Sequence, residues 1–150
     1  MLIRLDKVSG AEHIESVVVP ENDVKNGSIV AMGGYAGFDN VNVTKPSDIT
    51  TEDLVMIVEE FIDKVGNQEE TNMTFKKDEI VRAYHFVADD IITVTDDGIT
   101  GATVVGEYVI PANGSYDLSA SSSKEGTLAF KVIAKEIMDG KASTVLKVIR

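Results

Sequence analysis

Cysteine is absent from this 150-residue chain, which excludes a disulfide framework and every thiolate metal site, zinc fingers and iron–sulfur clusters among them. Stability therefore has to come from core packing or from assembly. No apolar run approaches the roughly 18 residues that a membrane span needs, and the stretch from Met1 to His13 lacks the long apolar segment of a signal peptide. Synthesis in the cytoplasm without a membrane partner is the expectation. Basic residues are also scarce: 14 Lys and Arg, scattered along the chain, stand against 25 Asp and Glu, for a net charge of −11. Such a surface repels phosphate backbones at long range, so nucleic acid is not an expected partner.

What remains is ordinary globular composition, 43% hydrophobic and 26% charged, well away from the polar corner where chains stay disordered. A chain of this length buries roughly 70% of the surface its unfolded form exposes, so one domain over residues 1–150 is expected. Turn signals recur at short intervals: Asn26-Gly27, Gly33-Gly34, Lys45-Pro46, Asp97-Gly98, Asn113-Gly114 and Asp139-Gly140. Between them lie short stretches rich in Val, Ile and Thr, which predict strands at 16–19, 28–32, 90–95, 103–110, 127–134 and 143–149. The last of these has two apolar sets and reads as covered on both faces. The fold class expected is mainly β, a single-domain antiparallel β-sandwich or barrel-like fold with at most one or two short helices. Asp97-Gly98, between β-branched runs, predicts a tight hairpin with Gly98 at positive φ. The segment 53–65 fits both a helical period behind Thr50-Thr51-Glu52-Asp53 and a buried strand at 54–58, and is read as a strand followed by a short helical turn. Polar and aperiodic, residues 66–79 read as a surface excursion.

Few residues suggest chemistry. His13 and His85 are far apart in sequence, and His85, in the run Ala83-Tyr84-His85-Phe86-Val87, reads as a half-buried strand residue in preference to a general base or metal ligand. No Gly-x-Ser-x-Gly elbow accompanies them. The acidic pairs Glu52-Asp53, Glu59-Glu60, Glu69-Glu70, Asp89-Asp90 and Asp96-Asp97 lack the ligand spacing of a calcium loop and read as solvated turns. Gly33-Gly34-Tyr35-Ala36-Gly37-Phe38 lacks both the Gly-Lys-Ser/Thr ending of a phosphate loop and the spacing of a dinucleotide fingerprint. It reads as a bent, flexible loop carrying two rings, which either fold back on the core or form an exposed partner-binding tip; Tyr35 and Phe38 are the candidate protein-binding residues. Asn26, Asn42, Asn72 and Asn113 each begin an Asn-x-Ser/Thr triplet and read as turn residues. No cofactor, metal or catalytic set is expected.

Taken in order, the pieces resemble the capsid decoration proteins of tailed bacteriophages. Those that carry the resemblance are Val24-Lys25-Asn26-Gly27-Ser28-Ile29-Val30, then Asp53-Leu54-Val55-Met56-Ile57-Val58-Glu59-Glu60, then Arg82-Ala83-Tyr84-His85-Phe86 leading into Asp89-Asp90-Ile91-Ile92-Thr93-Val94-Thr95. Val105-Gly106-Glu107-Tyr108-Val109, Phe130-Lys131-Val132-Ile133 and Val145-Leu146-Lys147-Val148-Ile149 complete the pattern. The resemblance covers most of the chain, and the polar insert 66–79 departs from it. It implies a structural virion protein, not an enzyme, bound to the major capsid protein on the outer surface of an assembled shell, as a homo-oligomer. Another phage virion component, such as a tail or head-tail joining protein, shares the same profile. A small hydrolase built on His85 and dispersed carboxylates is the reading from a different class.

Overall fold

The computed structural model describes residues 1–8, 14–59 and 73–150. It is mainly β, with antiparallel pairing dominant, as the sequence predicts. Seven strands, β1 (Ile3–Lys7), β9 (Ile91–Thr95), β14 (Lys141–Val148), β13 (Phe130–Met138), β11 (Tyr108–Pro111), β12 (Leu118–Ser121) and β10 (Ile99–Thr100), form one sheet in that spatial order. Five others, β2 (Ile14–Val18), β5 (Asn40–Thr44), β4 (Ile29–Gly37), β6 (Leu54–Ile57) and β8 (Ile80–Tyr84), close into a barrel. A short ribbon pairs β3 (Val24–Lys25) with β7 (Thr74–Phe75). Two pairings are parallel, β2 with β5 and β10 with β12.

Two apolar clusters explain the arrangement. Val17, Val30, Val43, Val55, Ile57, Val81 and Ala83 fill the barrel, joined by Val24, Met73 and Phe75 of the ribbon. Ile29, Ala31, Leu54 and Met56 point the other way and meet Ile92, Val94, Val109, Phe130, Leu146 and Val148 of the sheet. Alternate residues of β4 and β6 thus serve two cores, which is why Leu54-Val55-Met56-Ile57 is a continuous apolar run with every residue buried. Each such side chain contributes about 1.5–3 kcal/mol by leaving water. Phe86 seals the second cluster with its ring edge-on to Phe130, centroids 6.2 Å apart. The strand at 143–149 is indeed covered on both faces, because β14 lies between β9 and β13 with Ser143, Thr144, Leu146 and Val148 all buried.

Several local expectations are corrected. Asp97-Gly98 makes no hairpin: Asp96–Gly98 is a single 3-10 turn, Gly98 has no positive φ, and β9 pairs with β1 and β14 while β10 pairs with β12. Both edges of β9 are taken, so its chain neighbour must leave the ladder. Gly98 instead leaves room for Met1, since a Cβ there would lie 1.7 Å from the Met1 Sδ and the methionine side chain would have to move. The mirror-image Asp-Gly hairpin occurs instead at Asp139-Gly140, with φ of 50° and 75°, between β13 and β14. The strand expected at 103–110 begins only at Tyr108. Of the segment read as a surface excursion, Met73 and Phe75 are buried where β7 pairs with β3, whereas 76–79 are exposed; 66–72, like the helical turn expected near 60–65, lie outside the described residues. Gly33-Gly34 and Asn42 sit within strands, not turns. β1, β5 and β12 were not predicted from sequence, being short and polar on one face.

The acidic turns are partly corrected too. Asp90 is buried and its Oδ2 accepts a hydrogen bond from the N–H of Val87 at 3.0 Å, so it closes a loop away from solvent. Glu52 caps no helix: its carboxylate accepts from the N–H and hydroxyl of Ser47 and from the N–H of Asp48, tightening the turn before β6. Asn26 does act at a turn, its side chain exchanging hydrogen bonds with the backbone of Glu59 at 2.9 and 3.2 Å.

Candidate functional site

β4 starts inside the molecule and ends outside it. Ile29, Val30 and Ala31 are buried, whereas Gly33, Gly34, Tyr35 and Ala36 are exposed; this outer half of the strand pairs with β5, whose Asn40–Asn42 also pair with β2, so the β4–β5 turn stands at the rim of the barrel. Gly33-Gly34 is a bulge: Met32 faces Val43 and Tyr35 faces Val41, so two residues of β4 oppose Asn42 alone. A side chain at the first glycine would clash, since a Cβ on Gly33 would lie 2.7 Å from the carbonyl oxygen of Asn42. A second register shift between Tyr35 and Gly37 adds a further bend.

The tip itself is the two-residue loop Phe38-Asp39 between paired Gly37 and Asn40. Gly37, Phe38 and Asp39 have φ of 93°, 52° and 63°. Positive φ at both loop residues is the signature of the mirror-image turn whose twist suits a hairpin, normally built from Asn and Gly. Phenylalanine is poorly suited to it, at a cost of roughly 1–2 kcal/mol for an L-residue in the left-handed region. Its ring gains nothing in return within the chain: Phe38 is 97% exposed and Tyr35 71%. The Tyr35 hydroxyl oxygen accepts a hydrogen bond from the N–H of Asp39 at 3.3 Å, which holds the tyrosine across the turn. Among the described residues the Asp39 carboxylate has no hydrogen-bonding or ion-pair partner. The tip thus offers two rings and one free anion on a braced loop.

Both candidate residues named from sequence are therefore together and exposed. Folding back on the core is excluded for each, and the flexible loop is corrected to a paired hairpin with a strained turn. Asp39 was missed, because Phe-Asp is not a recognisable turn dipeptide and only the pairing of Gly37 with Asn40 reveals it.

The other titratable group of interest is at the far side of the strand pair β6–β8. His85 lies one residue beyond β8, with Nε2 2.7 Å from Asp53 Oδ1, and the same oxygen accepts from Arg150 Nη2 at 2.9 Å. Arg150 also donates to the carbonyls of Phe86 and Leu54 at 2.6 and 2.8 Å. Burial lowers the Arg150 guanidinium below its usual range against the opposing pull of Asp53. The cluster ties Arg150 to the start of β6 and to the segment just after β8, and among the described residues no hydroxyl is bonded to His85. His13 lies outside the described residues. Among those residues no group of three or more His, Asp or Glu is placed to hold a metal ion, and no helix is long and apolar enough to cross a membrane.

No protein-family model, no curated protein and no solved structure matches this chain.

Proposed function

We propose that this chain is a structural protein of a phage virion that binds the outer surface of an assembled capsid and stabilises it, with the β4–β5 tip as an anchor in the major capsid protein. The observation that carries the reading is Phe38: a large ring, exposed, held at positive φ on a braced two-residue turn. Unrewarded strain and unrewarded exposure at one residue point outward to a partner, because such features persist where function selects them. An aromatic presented rigidly loses little conformational freedom on docking, and buried aromatics dominate interface energies. The order of sequence pieces shared with capsid decoration proteins supplies the partner class. The net charge of −11 agrees with a protein that works outside the shell and away from packaged DNA.

Several copies on one shell multiply a modest affinity per site, so losing one anchor lowers occupancy steeply. Undecorated shells mixed with the purified chain test this by co-sedimentation. The parent is expected to pellet with the shells and a folded Tyr35→Ala, Phe38→Ala variant to stay in the supernatant. No pelleting by the parent overturns the capsid reading; equal pelleting by both removes the tip from the interface.

A further inference from the structure

Asn26-Gly27 and Asn113-Gly114 are the two Asn-Gly dipeptides of the chain, and this dipeptide carries a reaction of its own. The backbone nitrogen of the glycine, unhindered by a side chain, attacks Cγ of the asparagine. A new C–N bond forms, the bond from Cγ to the side-chain nitrogen breaks, and ammonia leaves with the proton of the backbone nitrogen. Water then opens the cyclic imide at either carbonyl, giving aspartate or isoaspartate. The reaction needs a glycine N–H free to lose its proton and an asparagine side chain free to swing onto that nitrogen. Hydrogen bonds block both requirements at each site, but they differ in how much structure must open to release them.

Gly27 is buried and its N–H donates to the carbonyl of Ile57, itself fully buried, at 2.7 Å. The Asn26 side chain is held at both ends by the backbone of Glu59, and its own N–H donates to the Met73 carbonyl at 3.1 Å. Freeing this dipeptide therefore disrupts the end of β6. Asn113 and Gly114, by contrast, are exposed at a turn between β11 and β12. The Gly114 N–H donates to the Pro46 carbonyl at 2.7 Å, and Asn113 Oδ1 accepts the N–H of Ile49 at 2.8 Å. Neither bond belongs to a strand ladder. Tyr116, just beyond the turn, is anchored separately, its carbonyl accepting the Ile29 N–H at 2.9 Å, so 112–115 can lift off 46–49 while the strands stay paired.

We infer that Asn113 is a deamidation site of the folded chain, gated by this local lift, and that Asn26 is sealed until the barrel opens. Aspartate at 113 keeps an oxygen for the Ile49 N–H. Isoaspartate adds a methylene to the backbone before Gly114 and shifts the N–H that reaches Pro46. Ile49 is a buried member of the cluster between barrel and sheet, and its carbonyl accepts the Thr127 N–H at 2.8 Å, so the isoaspartate product loosens the support of a core side chain.

Peptide mapping by mass spectrometry of the full chain, aged in mildly alkaline buffer with and without urea, tests the inference independently of any shell. A serine follows both dipeptides, so the unfolded chain is expected to convert the two sites at similar rates. In the folded chain Asn113 should convert about tenfold or more slowly than in urea, and Asn26 more slowly than Asn113 by a further factor of about ten or more. Gly126→Ala brings a Cβ to 2.8 Å from the Ile49 carbonyl oxygen and so displaces the segment that guards Asn113. In this variant Asn113 should convert severalfold faster and Asn26 at the parent rate. Folded parent in which Asn113 converts as fast as in urea, or no faster than Asn26, overturns the inference. So does a folded Gly126→Ala chain that leaves the Asn113 rate unchanged or speeds both sites alike. The comparison of the two sites in the parent needs no variant and decides the matter where Gly126→Ala does not fold.

Discussion

Tyr35 accepts, at its hydroxyl oxygen, the backbone N–H of Asp39 at 3.3 Å, and so braces the turn on which Phe38 stands at a φ of 52°. Stability and function conflict at this turn. Phe38→Asn places a residue tolerant of the left-handed region at the same position and is expected to raise stability by about 1 kcal/mol, read as a higher urea midpoint. Shell binding should fall in the same variant. A lower midpoint would show that the phenylalanine is not strained.

Leu54 and Ile57 test the two-core architecture. Leu54 packs between barrel and sheet and Ile57 inside the barrel, although they lie in one four-residue strand. Leu54→Ala and Ile57→Ala should each cost about 2–5 kcal/mol in chemical denaturation. A one-sided strand would leave one of the pair exposed, with an effect within about 0.5 kcal/mol, and that outcome would contradict the arrangement.

Gly126 and Gly140 both have positive φ, at 89° and 75°, but differ in surroundings. A Cβ on Gly126 would lie 2.8 Å from the carbonyl oxygen of Ile49, which accepts the N–H of Thr127, whereas a Cβ on Gly140 meets open space. Gly140→Ala should cost on the order of 1 kcal/mol from backbone strain, and Gly126→Ala distinctly more. Equal thermal shifts for the two would count against the close approach at Ile49.

Asp96 gives an acid-range prediction. Burial pushes its carboxyl up, but hydrogen bonds from Lys135 and Thr144, with the charge of Lys135, outweigh that and hold it below the ordinary range. A carboxyl depressed in the folded state adds stability above its unfolded pKa of about 3.9 and loses it as pH falls through the folded value. Lys135→Met removes the donor and leaves the burial, so the folded pKa rises. Acid unfolding followed by circular dichroism should then occur at higher pH in the variant. A midpoint that stays put or moves lower would mean the ion pair carries no linkage.

The fold class was legible because period-two alternation and β-branched runs mark strands wherever one face is buried. At β14 two buried faces replace alternation with a continuous run that still reads as a strand, whereas at β6 the same kind of run left 53–65 open between strand and helix. Partner choice was not legible. Asp97-Gly98 and Asp139-Gly140 present the same dipeptide, yet only the second turns a hairpin, because β1 and β14 already flank β9 while β13 and β14 are free to pair with each other. That decision rests on contacts some 90 residues away in sequence, such as Leu2 N–H to Thr95 Oγ1, which no local window contains. At the candidate site the two rings were readable as residues. Their strain and the unpartnered Asp39 were not, since both depend on the bulge at Gly33-Gly34 that fixes the register of β4 on β5.

Cryo-electron microscopy of shells incubated with the chain tests the central claim most directly. The account predicts added density on the outer surface, oriented with the β4–β5 tip buried against the major capsid protein and Phe38 in an apolar pocket. Shells that remain bare, or a bound chain whose Phe38 faces solvent, would contradict it.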